Sequence, residues 1–255
     1  MNRPLTARMA KKSRPRKKKK PPLHRRVIER IADFIRRVWR YTLLGLVGLA
    51  ALLVLWVALY RFVDPPGGIY MWQESRRLGE IQQSWVDMEQ IAPVMARSVV
   101  AAEDANFCRH WGFDMSAIRQ ALAEGSGRGA STLSQQVVKN VFLWQGRSWI
   151  RKALEAVITP MVEILWPKRR IIEVYLNIAE FGEGVFGVEA ASHRHFDRDP
   201  IDLSARQAAL LAAVLPAPQV RNAGRPTDWI QRRAAAIVDG AATIDRDDRA
   251  ACFQP

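Results

Sequence analysis

The chain is poor in the residues that build metal centres and disulfide frameworks. Its 255 residues hold two cysteines, Cys108 and Cys252, and four histidines, His24, His110, His193 and His195. Two cysteines exclude a cysteine-rich metal site and a multi-disulfide scaffold. The histidines show no metal-cluster spacing, so no metal ligand is expected. An oxidising compartment permits a bond between Cys108 and Cys252, and the sequence leaves open whether their Cα atoms lie close enough. Runs that alternate apolar and polar residues are missing too, as is any internal repeat, so the expectation is a mostly α chain.

Acidic residues are scarce in one region only. Residues 1–40 hold 16 Lys/Arg against two acids, while residues 41–255 hold 23 of each. The whole net charge of +14 therefore sits in an N-terminal arm that includes Lys17, Lys18, Lys19 and Lys20. A basic arm invites a nucleic-acid reading. This one instead abuts Tyr41–Tyr60, twenty residues without a charge. At about 1.5 Å per residue such a helix spans about 30 Å, the thickness of a bilayer's hydrocarbon core. Arg40 and Arg61 bound it, and Tyr41, Trp56 and Tyr60 suit its interfaces. The segment begins late and has no small-residue cleavage site after it, which favours an uncleaved anchor over a signal peptide. The arm then reads as a topology signal attracted to anionic lipid, with the N-terminus cytoplasmic and no nucleic-acid partner.

The expected organisation is a basic cytoplasmic arm at 1–40, a transmembrane helix at 41–62, a juxtamembrane linker at 63–79 and one folded domain at 80–245. Residues 1–24 read as disordered, and 25–40 as a basic helix running into the span. Asp64-Pro65-Pro66-Gly67-Gly68 is a breaker. Ile69 to Trp72 is apolar enough to touch the membrane interface. Pro93 suits the first turn of a helix reaching about Asn106, with Met95, Val99 and Ala102 on one face. Ser116–Glu124 reads as a second helix, followed by a flexible Gly-rich loop to Gly129. Thr132 with Gln135, and Ser204 with Gln207, form two capping boxes. Ser148 caps a helix to Trp166 that Pro160 is expected to kink. Pro167 opens another helix through Ile178, and the last runs from about Asp228 to Thr243.

Two segments concentrate chemistry. Glu103 and Asp104 sit near a helix C-terminus, where the helix dipole disfavours acids. A carboxylate there can take a proton from an attacking hydroxyl, which is typically worth about 10²–10⁴-fold. Asp104 points about 100° away around a helix, so it would hold a neighbouring cation or loop. Phe107 and His110 read blandly as a core aromatic and a loop-fixing histidine. In the second segment, Ser131 to Asn140, Gln135 and Lys139 share a helix face at i,i+4. Gln136 stands beside them, and the helix start offers free N–H groups to phosphate oxygens. Arg147, Arg151 and Lys152 then surround Glu155. A surface salt-bridge ladder is the usual account of such a pattern. The functional account is a carboxylate among cations that grip a diphosphate.

Together these segments resemble the peptidoglycan glycosyltransferase family, found as the polymerase domain of class A penicillin-binding proteins and as a monofunctional enzyme. Glu103-Asp104-x-x-Phe107-x-x-His110-x-Gly112 is similar to its first signature, and Gly129-Ala130-Ser131-Thr132-Leu133-x-Gln135-Gln136-x-x-Lys139-Asn140 to its second. Arg151-Lys152-x-x-Glu155 resembles the third. Lys168 through Glu173-x-Tyr175-Leu176-Asn177 resembles the fourth, and Gly187 through Phe196 the fifth. His195 stands where a tyrosine is usual, and Pro160 interrupts a helix that need not carry proline.

The resemblance implies a lysozyme-like helical glycosyltransferase domain that polymerises lipid II in cell-wall biogenesis. The growing strand is the donor, undecaprenyl diphosphate leaves, and the GlcNAc 4-hydroxyl of lipid II attacks with inversion to form a β-1,4 bond. It implies Glu103 as general base and Glu155 as the second catalytic carboxylate. Lys139 and Arg147, with Arg151 or Lys152, would hold diphosphate. Asp104, Phe107, His110, Ser131, Thr132, Gln135, Gln136 and Asn140 complete the expected substrate-binding set. No cofactor is required, although a divalent cation beside the diphosphate fits the chemistry. Lipid II, the glycan strand, membrane lipid and cell-wall synthesis or division proteins are the expected partners, at a bacterial inner membrane with the catalytic domain periplasmic. The chain contains neither a Ser-x-x-Lys nor a Lys-Thr-Gly, so the expectation is the monofunctional form. A lytic enzyme of related fold and a catalytically silent scaffold are the rival readings.

Overall fold

The computed structural model describes residues 23–124, 129–146 and 148–254, with side chains from residue 30 onward. The Lys17–Lys20 run, the Gly-rich stretch 125–128 and Arg147 lie outside the described residues. Two compact units divide at Leu52 and Leu53. The first is dominated by α1 (Leu23–Leu59), so the basic stretch and the span form one continuous helix. Every side chain from Arg30 to Leu52 is exposed. Arg30–Leu59 is the one helix among the described residues long and apolar enough to cross a membrane. Exposed Leu, Val and Trp around a whole helix are costly in water and natural in lipid, where the helix satisfies its own backbone.

The second unit opens with the last turns of α1. Val57 is buried, and its carbonyl accepts from Trp166 Nε1 at 2.8 Å. Trp56 meets the ring of Phe142 edge-on at 5.1 Å. Arg170 donates to Tyr60 O (3.2 Å), Val63 O (3.1 Å) and Asp64 Oδ1 (2.8 Å). These bonds tie the chain leaving the apolar helix to the folded domain.

The stretch 63–79, expected as a linker, is largely helix α2 (Ile69–Leu78). Its start sits so close to Asn140 that a Cβ on Gly68 would fall 1.6 Å from the Asn140 carbonyl oxygen. Only glycine permits that approach. Of the four residues read as an interface patch, Ile69 and Trp72 are exposed and Met71 is buried.

A mostly α domain follows. It contains α3 (Pro93–Glu103), α4 (Met115–Glu124), α5 (Leu133–Phe142), α6 (Trp149–Leu165) and α7 (Lys168–Ile178), then α8 (Val188–Phe196), α9 (Ala205–Val214) and α10 (Asp228–Arg246). Helices α3, α9 and α10 pack on one another, and α5 packs against both α6 and α7. Met95, Val99, Val137, Ile171, Tyr175 and Leu211 are among the fully buried side chains. Both expected capping boxes form, at Thr132/Gln135 and Ser204/Gln207, and Ser148 caps α6. Helix α6 continues through Pro160 to Leu165.

Two further features depart from the sequence reading. A three-stranded sheet exists, ordered β1–β3–β2, built from β1 (Gln82–Gln83), β2 (Glu180–Gly182) and β3 (Val185–Phe186). Strands of two or three residues are too short for alternation to register. Helix α3 also stops at Glu103 instead of about Asn106, because Asp104 leaves helical geometry (φ −158°, ψ 69°). The open question of the cysteines is answered: Cys108 and Cys252 are disulfide-bonded, with Cα atoms 5.6 Å apart across 144 residues of sequence.

Candidate active site

The end of α3 delivers Glu103 to the start of α5. Asp104, turned out of the helix, accepts from the Leu133 backbone N–H through Oδ2 (3.0 Å). Its Oδ1 lies 2.8 Å from His110 Nε2. One carboxylate thus satisfies an orphan N–H at the α5 N-terminus and fixes the loop behind it. Thr132 caps the same terminus and donates through Oγ1 to Gly112 O at 2.7 Å. Gly112 has φ +82°, and a Cβ there would stand 2.5 Å from Thr159 Cγ2. Phe107 is 0% exposed, with Lys168 Nζ 4.3 Å above its ring. Asp104, Phe107, His110 and Thr132 therefore form a supporting layer. Of the expected substrate-binding set, Phe107 is buried here, and His110 meets Asp104 through Nε2 while its buried Nδ1 has no partner among the described residues.

On the open side, Gln136 donates through Nε2 to Glu103 Oε2 at 2.9 Å. Tyr175 donates to Gln136 Oε1 at 3.1 Å. Burial raises the proton affinity of Glu103. The Gln136 bond, Arg233 and Lys139 oppose that rise, and Asp104 adds to it. The result is a desolvated carboxylate poised to take a proton.

Gln136, Lys139, Asn140 and Tyr175 line a cavity of about 540 Å³. Its far end is made by Tyr70, Glu74, Glu180 and Gln219, with Pro216 and Pro218. Tyr70 donates to Glu180 Oε2 at 2.6 Å and accepts from Gln219 at 3.1 Å. These residues were not foreseen. Their only sequence signals are an apolar stretch and a Gly-rich turn, neither of which points to a cleft.

Lys139 has no hydrogen-bond or ion-pair partner for its ammonium among the described residues. Burial lowers its pKa, with Arg151 and Lys152 adding to the fall and the Glu155 and Glu103 carboxylates opposing it. An unpaired, desolvated cation beside other cations is costly, and a bound anion relieves that cost.

Glu155 is 3% exposed and spends its oxygens on protein. It accepts from Arg151 at 2.7 Å, from Gln135 Nε2 at 3.1 Å and from Lys152. Glu155, expected as the second catalytic carboxylate, thus stands in contact with Arg151, Lys152 and Gln135. Ser131 is exposed beside the helix start, and Asn140 accepts from Gln145 at 3.2 Å. A buried set behind α5 was also unforeseen. Glu163 accepts from Ser134 and from Lys168, the latter at 2.9 Å. Its signal was present as the polar series Glu155, Thr159, Glu163 at i, i+4, i+8 of a helix that is otherwise apolar after Lys152.

No group of three or more His, Cys, Asp or Glu side chains converges among the described residues. With Glu155 committed to cations, the donor set does not fit a divalent ion held by protein ligands.

The family model described as transglycosylase matches residues 72–242. A biosynthetic peptidoglycan transglycosylase of Jannaschia sp. (strain CCS1) is 58% identical over 245 residues, which is 96% of this chain and 99% of that one. Its counterpart in Rhodospirillum centenum is 48% identical over 229 residues, 87% and 98% of the two chains. That of Pseudomonas aeruginosa is 47% identical over 229 residues, 86% and 97%. The chain belongs to the transglycosylase family. The transglycosylase match begins within α2 and ends within α10, so it takes in Glu103, the α5 terminus and the Arg151–Lys152–Glu155 group. The mostly α unit is the lysozyme-like helical domain that the resemblance implies.

Proposed function

We propose that this transglycosylase polymerises peptidoglycan glycan strands, transferring the growing strand from undecaprenyl diphosphate to the GlcNAc 4-hydroxyl of lipid II. The observation that carries the proposal is the pairing of Glu103, a desolvated carboxylate, with Lys139, a desolvated and unpaired cation three residues beyond Gln136. Glu103 takes the proton of the acceptor hydroxyl. The hydroxyl oxygen bonds to the anomeric carbon from one face as the bond to diphosphate breaks on the other, so configuration inverts. Lys139, with Arg151 and Lys152, takes up the charge that develops on the leaving diphosphate. Glu155, itself bonded by Gln135, holds Arg151 and Lys152 in place, and Asp104 and His110 hold the α5 terminus. Arg147, expected in the same group, belongs to the proposal by sequence alone.

The domain is proposed to work against the outer face of a bacterial inner membrane, with the N-terminus cytoplasmic. The basic arm supports this orientation. The Cys108–Cys252 bond supports it independently, since disulfides persist on the oxidising side. An exposed apolar face of helix α6 supports contact with a lipid substrate. Ile150, Leu154, Val157 and Ile164 recur at helical spacing on one exposed face, and Trp149 is 91% exposed.

The test is polymerisation of labelled lipid II by detergent-solubilised protein, wild type beside Glu103→Gln. Long strands from the wild type and almost none from the variant are expected. A well-folded wild type that makes no strands removes the proposal. Soluble fragments released from finished peptidoglycan would favour a lytic enzyme.

A further inference from the structure

The segment that carries Glu103 is gripped from behind by the last residues described. Arg249 donates to Ala105 O at 3.3 Å. Cys252 is bonded to Cys108, and the buried ring of Phe253 lies 6.2 Å from that of Phe107. Gln254 donates to Pro93 O at 2.6 Å and accepts from Arg97 at 2.9 Å. Residues 249–254 therefore touch α3 at its first residue and again just past its last. They lie beyond the part of the chain that the family model matches, which ends at 242.

We propose that residues 249–254 are a disulfide-locked clamp that positions Glu103, so that the thiol–disulfide state of Cys108 and Cys252 sets the turnover rate. This rests on Glu103 being the base. Glu103 ends α3 and Asp104 caps it, so any loosening at 105–108 passes directly into the carboxylate. A short segment held by few side chains opens readily, and a covalent bond removes that freedom. The bond forms when the two thiols give two protons and two electrons to a disulfide oxidant, which leaves as two thiols. A dithiol reductant reverses the exchange.

The groups facing Glu103 are Gln136 and Lys139 of α5, Arg233 of α10, Tyr175 of α7 and the adjacent Asp104. All remain when the bond is cut. What changes is the packing that keeps water from the carboxylate, so its proton affinity relaxes toward the ordinary value.

The experiment follows lipid II polymerisation by the full chain in detergent, across pH, for oxidised wild type, dithiol-reduced wild type and Cys108→Ser/Cys252→Ser. A fall in kcat of about tenfold is expected on opening the bond, the scale of a sub-ångström misplacement of a base. KM for lipid II stays put, and the acid limb of the pH profile moves to lower pH. Reoxidation restores the wild type and not the double variant. Undiminished kcat in the reduced wild type overturns the clamp. So does a fall that tracks loss of folded protein by circular dichroism while the acid limb stays in place. If the double variant does not fold, the wild-type redox cycle decides alone. Failure of the polymerase reading looks different, because the oxidised wild type then makes no strands.

Discussion

Gln136 bridges Tyr175 and Glu103, accepting from the tyrosine hydroxyl at 3.1 Å and donating to the carboxylate at 2.9 Å. The orientation of its amide is thereby set, since a flipped amide would face its oxygen to the carboxylate and its NH₂ to the phenol. The phenol is buried, and burial holds its proton in place far above the usual range. The relay therefore presents Glu103 with one fixed donor and leaves its remaining lone pairs for an acceptor hydroxyl.

Glu103→Gln should lower lipid II turnover by about 10²–10⁴-fold, the usual weight of a general base. It should not lower stability. Because burial raises the folded-state pKa, the stability contributed by protonated Glu103 is present below the unfolded pKa and lost as pH rises through the folded one. At neutral pH the ionised carboxylate is a cost that glutamine removes. Thermal unfolding at pH 7 should show an unchanged or higher Tm, and a clear drop would count against this account.

Gln136→Leu deletes a hydrogen bond that lowers the proton affinity of Glu103. The acid limb of kcat/KM should therefore move to higher pH. This is opposite to the shift expected on opening the disulfide, so pH profiles of the two variants separate the two effects.

Lys139→Met and Glu155→Ala should behave in opposite ways. Lys139 is desolvated and unpaired among the described residues, so methionine should leave the fold as stable as before while weakening lipid II binding by tenfold or more, in proportion to a lost charge-assisted contact of about 1.5–3 kcal/mol. Glu155 has three partners, and removing it should cost about 3 kcal/mol in denaturant unfolding. Equal stability losses in the two variants would reverse these assignments.

Ile150→Glu/Val157→Glu places charge on the exposed apolar face of α6. Turnover of a short-chain, water-soluble lipid II analogue should be unchanged. Turnover of full-length lipid II in vesicles should fall, because an apolar face loses interfacial affinity when charge is added. Parallel losses on both substrates would remove α6 from the membrane contact.

What the sequence alone determined is what short spacing controls. The capping boxes Thr132/Gln135 and Ser204/Gln207 bring partners together within one helical turn. Glu103, Lys139 and the Arg151–Lys152–Glu155 group were legible because their order and spacing match a family pattern. The apolar span was legible because it is uninterrupted in sequence. Only the tertiary structure decided which of those residues are buried and which line the cavity. Phe107 and Glu155 are buried in the fold, since burial depends on what packs above them. Tyr70 meets Glu180 and Gln219, both more than 100 residues further along the chain, at the cavity wall. Cys108 and Cys252 lie 144 residues apart, and no local preference of either cysteine reaches that far. Contacts at that separation come from helix packing, which a linear pattern constrains only through its apolar faces.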